Sequence, residues 1–124
     1  MAINAFENTV ATPGTPQQLV FTGGPQTIVG GVTYPAGSVP TRGAQILLSA
    51  HPGNTAGKNI FVGVKGMSIA SKTGILCVLP TPTTTQNLQI SLGQFGGMVD
   101  VADLYIDTDS VAAATERIIV SVIG

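Results

Sequence analysis

Apolar and polar side chains alternate with a period of two at Leu88-Gln89-Ile90-Ser91-Leu92, at Asp103-Leu104-Tyr105-Ile106-Asp107 and from Ile118 to Ile123. Successive side chains of an extended strand point to opposite faces, so each run reads as a strand with one face in a core and the other in water. In the last run Ile118, Val120 and Val122 share the inward face. Shorter apolar runs predict further strands at Gln18 to Thr22, Gln26 to Val29 continuing to Tyr34, Ala44 to Ser49, Asn59 to Val64 and Ile75 to Leu79. Together these give about eight strands.

No apolar stripe of period 3.6 is long enough to form the crossover helices of a parallel sheet, so the expected fold is all-β, an antiparallel β-sandwich. The one helical candidate is Ser110-Val111-Ala112-Ala113-Ala114-Thr115-Glu116, with Asp109 or Ser110 placed to cap it. Seven residues are marginal as a helix on their own, so a single turn between strands is the most this segment predicts.

Composition sharpens the picture. Val, Ile and Thr supply 39 residues, and Gly and Pro supply 24 that break the chain every few positions, as short strands separated by turns require. Only eleven of 124 residues are charged, although a soluble surface usually carries about a quarter. Much of the outside is then Thr, Gly, Ser, Gln, Asn and leftover apolar groups, which suits either a protein whose surface is covered by neighbours in an assembly or one that belongs to an extracellular particle. The net charge of −1 directs no strong field at nucleic acid or an anionic membrane, and neither is an expected partner. Met1 to Glu7 has no basic stretch followed by an apolar one, and no apolar run approaches the roughly 18 residues of a membrane span, so neither a secretory signal nor a membrane segment is expected.

The first sixteen residues differ from the rest. Thr9 to Pro16 holds two prolines and shows no alternation, which reads as an extended N-terminal arm over residues 1–16 ahead of a sandwich domain over 17–124. Ile3, Phe6 and Val10 are apolar groups in this arm, and they are expected to contact a neighbouring subunit or a larger assembly. Residues 8–41 and Thr73 to Val99 carry no charge at all. Disordered tails are usually highly charged, so these stretches are expected to be ordered and partly to face other subunits.

Candidate chemistry adds little. Gly53-Asn54-Thr55-Ala56-Gly57-Lys58-Asn59 resembles a phosphate-binding loop, but it has three residues between the glycines instead of four, Asn in place of the Ser or Thr that holds magnesium, and a strand after it instead of a helix. A turn before Ile60-Phe61-Val62 accounts for it. His51 is the single histidine and reads as a turn residue before Pro52; Cys77, the single cysteine, lies in Ile75-Leu76-Cys77-Val78-Leu79 and reads as a small buried hydrophobe. No Gly-x-Ser-x-Gly elbow is present, so no catalytic residue, cofactor or enzyme activity is assigned. Asp100, Asp103, Asp107 and Asp109 fall within ten positions, but the glycine and terminal glutamate of the helix-loop-helix calcium motif are missing. On the strand reading, Asp103 and Asp107 share a solvated face with Tyr105. Arg42, Lys58, Lys65 and Lys72 all precede the aspartates, a separation of signs that permits basic and acidic patches to meet between copies.

At Asn59-Ile60-Phe61-Val62-Gly63, then Ser68-Ile69-Ala70-Ser71-Lys72-Thr73-Gly74-Ile75, then Leu79-Pro80, the chain resembles small β-rich virion proteins of tailed bacteriophages. The likeness continues through Leu88-Gln89-Ile90 and Val101 to Asp107 to a last strand at Val120-Ser121-Val122, and covers residues 54 to 124. It departs at Val111-Ala112-Ala113-Ala114, where such proteins often have a Gly- or Asp-rich hairpin. What the resemblance implies is a head decoration or cement protein: a structural protein with no cofactor, assembled in the host cell cytoplasm and sitting on the capsid surface of the virion. There it would bind the major capsid protein on the outside of the expanded head and stabilise it, as a homo-oligomer with a trimer favoured. The rival expectation is a tail-associated adhesin or carbohydrate-binding module.

Overall fold

The structure is a computed structural model that describes residues 3–20, 26–27, 33–34, 42–43, 45–84, 88–93 and 99–123. In chain order the strands are β1 (Ile3–Thr9), β2 (Gln17–Gln18), β3 (Gln26–Thr27), β4 (Thr33–Tyr34), β5 (Arg42–Gly43), β6 (Gln45–Ala50), β7 (Asn59–Ser68), β8 (Thr73–Pro80), β9 (Gln89–Leu92), β10 (Val99–Asp100), β11 (Tyr105–Thr108) and β12 (Arg117–Ile123). Eight of them build a sandwich of two antiparallel four-stranded sheets, ordered β1-β12-β6-β9 and β2-β11-β7-β8. The short pairs β3-β4 and β5-β10 lie outside these sheets. Among the described residues the only helical element is a 3-10 turn at Val101–Asp103, so no helix there is long and apolar enough to cross a membrane.

The alternating runs become the inner faces. In β12 Ile118, Val120 and Val122 are buried while the residues between them are half-buried, and in β6 Ile46, Leu48 and Ala50 face them across a register that sets Val120 against Leu48. Ile60, Val62, Leu79 and Ile106 close the core from the second sheet. Burying each such side chain contributes roughly 1.5 to 3 kcal/mol, which is why the pattern decides the register: a slip by one residue would turn the whole set outward. The strand expected at Gln18 to Thr22 is paired at Gln17–Gln18, and the one expected from Gln26 to Tyr34 is a pair of two-residue strands. Residues 21–25, 28–32 and 35–41 lie outside the described residues.

The N-terminal segment is extended, as its sequence suggests, but its extension is that of a strand. Ile3–Thr9 pairs with Ile123 to Arg117 over its full length, Phe6 is 6% exposed, and Val10 is fully buried in the core. Residues 3–16 are therefore part of the sandwich and not an arm beyond it. The reason the alternation was hidden is Asn8, a polar residue at the inward position between Phe6 and Val10. It stays buried because its amide donates to the Val20 carbonyl while its Oδ1 accepts from the Val20 N–H at 2.9 Å, so no polar atom is left bare.

The connection from β1 to β2 folds back across the second sheet. Gly14, at φ 90°, donates its N–H to Asp107 Oδ1 at 2.9 Å, and the Gln17 side chain ties the connection by donating to the Thr9 carbonyl and accepting from the Ala11 N–H. This overturns the solvated reading of Asp107, which is 1% exposed and accepts a second hydrogen bond from the Thr108 N–H at 2.8 Å. The Ser110 to Glu116 segment contains no helix; it is a turn in which Ser110 Oγ accepts from the Ala112 N–H and Ala114 takes φ 54°.

Candidate functional site

The strand registers place every charged residue near one of the two ends of the sandwich. Thr9, Ala50, Asn59, Pro80, Thr108 and Arg117 mark one end, and the loop His51 to Lys58 closes it. Glu7, Lys58, Asp107, Asp109, Glu116 and Arg117 lie there. Gln45, Tyr105 and Ile123 mark the other end, with Arg42 paired to Asp100, Asp103 on the 3-10 turn, and Lys65 and Lys72 on the β7-β8 hairpin. Basic and acidic residues, separated along the sequence, are thus mixed at both ends in the fold. Farthest from an end is Glu7, one register step from the Phe6–Val120 centre of the β1–β12 pairing.

The closed end is the most elaborated part of the molecule. Asn54 is buried and its side chain reads the backbone of Arg117 in both directions: Oδ1 accepts the Arg117 N–H at 2.8 Å and Nδ2 donates to the Arg117 carbonyl at 2.8 Å. In effect the amide continues the ladder of β6 by one residue after the strand turns away at His51. Beneath the loop, Glu116 is 1% exposed and its Oε1 accepts the Thr55 N–H at 2.6 Å. Burial pushes the Glu116 carboxyl up, but the Thr55 N–H and the hydroxyls of Ser110 and Thr55 outweigh it and hold the group below its ordinary range despite repulsion from Asp109. Its other oxygen, Oε2, is buried and accepts no hydrogen bond among the described residues. Asp109 is exposed and fixes Asn59 through both carboxylate oxygens, at 2.8 Å each.

This geometry explains why the glycine-rich loop is a closure and not a phosphate cradle. The N–H groups of Gly53, Asn54, Thr55, Lys58 and Asn59 all donate inside the protein, to His51 Nδ1, the His51 carbonyl, Glu116, the Thr55 carbonyl and Asp109. An anion site would need such donors converging outward. His51 sits on the outer surface with both ring nitrogens engaged. Nδ1 accepts the Gly53 N–H at 2.9 Å and lies 3.2 Å from Arg117 Nη2, while Nε2 lies 3.4 Å from Glu7 Oε1. Arg117 Nη1 completes the cluster, 3.6 Å from Glu7 Oε2.

The other singled-out residues fall apart in space. Asp100 caps the 3-10 turn by accepting the Ala102 N–H, Asp103 is exposed beside it, and Asp107 lies under the β1-β2 connection near the opposite end. Among the described residues no group of three or more His, Cys, Asp or Glu is arranged to hold a metal ion. Cys77 is half-buried against the core, and burial pushes its thiol up. Phe6 and Val10 place their apolar surface in the core of their own chain, so these two have none left for a neighbour; the side chain of Ile3 lies outside the described ones.

Sequence reasoning missed Asn54 and Glu116, whose partners stand about sixty positions away, and it missed the apolar side chains on the outside of β8. Leu76 is 53% exposed and Val78 40%. Their only signal is that Thr73 to Val99 carries no charge. No protein-family model matches this chain, no curated protein matches it, and no solved structure matches it.

Proposed function

We propose that this chain is a structural virion protein, a capsid decoration protein that binds the outside of an expanded phage head and stabilises it. The observation that carries the reading is the scarcity of charge and its gathering toward the two ends of the sandwich, with Glu7 the charge farthest in, which leaves largely neutral faces with exposed Val and Leu side chains. A surface of this kind suits permanent cover by neighbours better than free solution. The resemblance of residues 54 to 124 to small phage virion proteins supplies the kind of neighbour, the major capsid protein. The mechanism is passive. A protein that binds the expanded lattice and not its unfolded or contracted forms adds its binding free energy to that state alone, and several copies held together multiply weak contacts.

The test adds purified chain to expanded heads that lack it, and separately to host cells and isolated glycans. The expected result is binding to heads, with raised resistance to heat and to low salt. Glycan or cell binding without head binding would replace this reading with that of a tail-associated adhesin.

A further inference from the structure

At the closed end the His51 ring is the point where its own loop, β12 and β1 meet. Two donors converge on Nδ1: the Gly53 N–H at 2.9 Å and Arg117 Nη2 at 3.2 Å. At the far side of the ring Nε2 lies 3.4 Å from Glu7 Oε1. The charged groups that face the ring are thus Arg117 from β12 and Glu7 from β1, while its own loop supplies the Gly53 N–H. The side chain is 22% exposed, so protons reach it from solvent.

The backbone sets the direction of the Gly53 N–H, and a nitrogen that accepts from it needs a free lone pair. An imidazolium has none, because both of its nitrogens carry protons. Protonation would therefore set an N–H at Nδ1 against the Gly53 N–H and a positive ring against the Arg117 guanidinium. At Nε2 the same proton would supply a charged donor to the Glu7 carboxylate. One side of the ring is repelled and the other attracted.

We infer that His51 is a proton-operated latch on the outside of the closed end. Neutral, it holds the Gly53 turn and the Arg117 side chain; protonated, it releases both and pairs with Glu7. The change is confined to these groups, because the loop has other ties that do not use the ring. The His51 N–H donates to the Arg117 carbonyl, the Asn54 N–H to the His51 carbonyl and the Thr55 N–H to Glu116. Acidification from about pH 8 to about pH 5, the range in which imidazoles change charge, thus remodels this surface without opening the fold beneath it. A guanidinium is let go and the cluster gains one positive charge. The latch belongs to the chain itself and operates whether or not the chain sits on a capsid.

Nuclear magnetic resonance of the full chain across that pH range reads the latch directly. At its upper end the ring nitrogen shifts should show Nδ1 without a proton. As the ring protonates, the Gly53 N–H should lose ~5-fold or more of its protection against hydrogen exchange relative to the Asn54 N–H, whose acceptor is a backbone carbonyl. The Glu7 carboxyl carbon should shift with the same midpoint. His51→Ala, at a position open to solvent, should keep the β spectrum and abolish both transitions. A proton on Nδ1 at the upper end, a ring that keeps one charge throughout, or Gly53 protection that stays level with Asn54 while the ring titrates overturns the latch. So does a Gly53 transition that survives in His51→Ala.

Discussion

Replacing Asn54 by alanine removes both hydrogen bonds that its amide makes to Arg117, each 2.8 Å long. The Arg117 carbonyl keeps one partner, since the His51 N–H also donates to it at 3.0 Å. The Arg117 N–H keeps none, and Asn54 is 7% exposed, so little water reaches the gap. A net hydrogen bond is worth about 1 kcal/mol and a buried donor left unpaired costs about 1 to 3, so the expected loss is about 2 to 3 kcal/mol. For a domain of this size that corresponds to a fall of about 10 °C in Tm. Asn54→Asp sharpens the argument: it keeps an acceptor for the N–H but turns a carboxylate oxygen toward the Arg117 carbonyl, so its cost should be no smaller than that of alanine. Urea denaturation at neutral pH, followed by circular dichroism, measures both. A loss below about 0.5 kcal/mol for Asn54→Ala, the level of an ordinary surface substitution, would refute the claim that this side chain extends the ladder.

Phe6→Ala should cost about 3 to 5 kcal/mol, because the ring is buried in the core; a cost below about 1 would return residues 1–16 to the status of an arm. Gly63→Ala should destabilise by about 3 kcal/mol or more, since a Cβ there would run into the Gly74 carbonyl oxygen and come within 2.7 Å of Met67 Sδ, whereas Gly53→Ala meets only the movable ends of Arg117 and His51 at 3.0 Å and should cost well under half as much; equal thermal shifts would contradict this. Folding depresses the Glu116 carboxyl, so its contribution is complete above the ordinary value of 4.5 and is lost as pH falls through the lower folded value. Urea midpoints taken from roughly pH 6 to pH 2 should therefore decline less for Glu116→Gln than for the wild type, and parallel curves would show that the ionised form adds nothing.

What the sequence made legible follows from how each residue is satisfied. β12 is readable because Ile118, Val120 and Val122 are buried by their apolar character alone, so the pattern survives without knowledge of any partner. β1 is not, because its inward Asn8 depends on the backbone of Val20. Asp107 reads as solvated because it alternates with Leu104 and Ile106, and only the β1-β2 connection, folded across it with Gly14 donating, makes it buried. The same holds at the closed end: the loop from His51 to Lys58 is recognisable as a turn from its Pro, Gly and Asn, but Glu116 gains its meaning from Thr55, 61 positions away. Local pattern reports burial and turns, while long-range polar satisfaction leaves no local mark. The functional expectation rests on the scarcity of charge, and the fold adds where that charge goes.

Electron microscopy of purified particles carrying a label on this protein tests the central claim most directly. The account predicts label density distributed over the outer surface of expanded heads. Density confined to the tail tip, or particles without label, would contradict it.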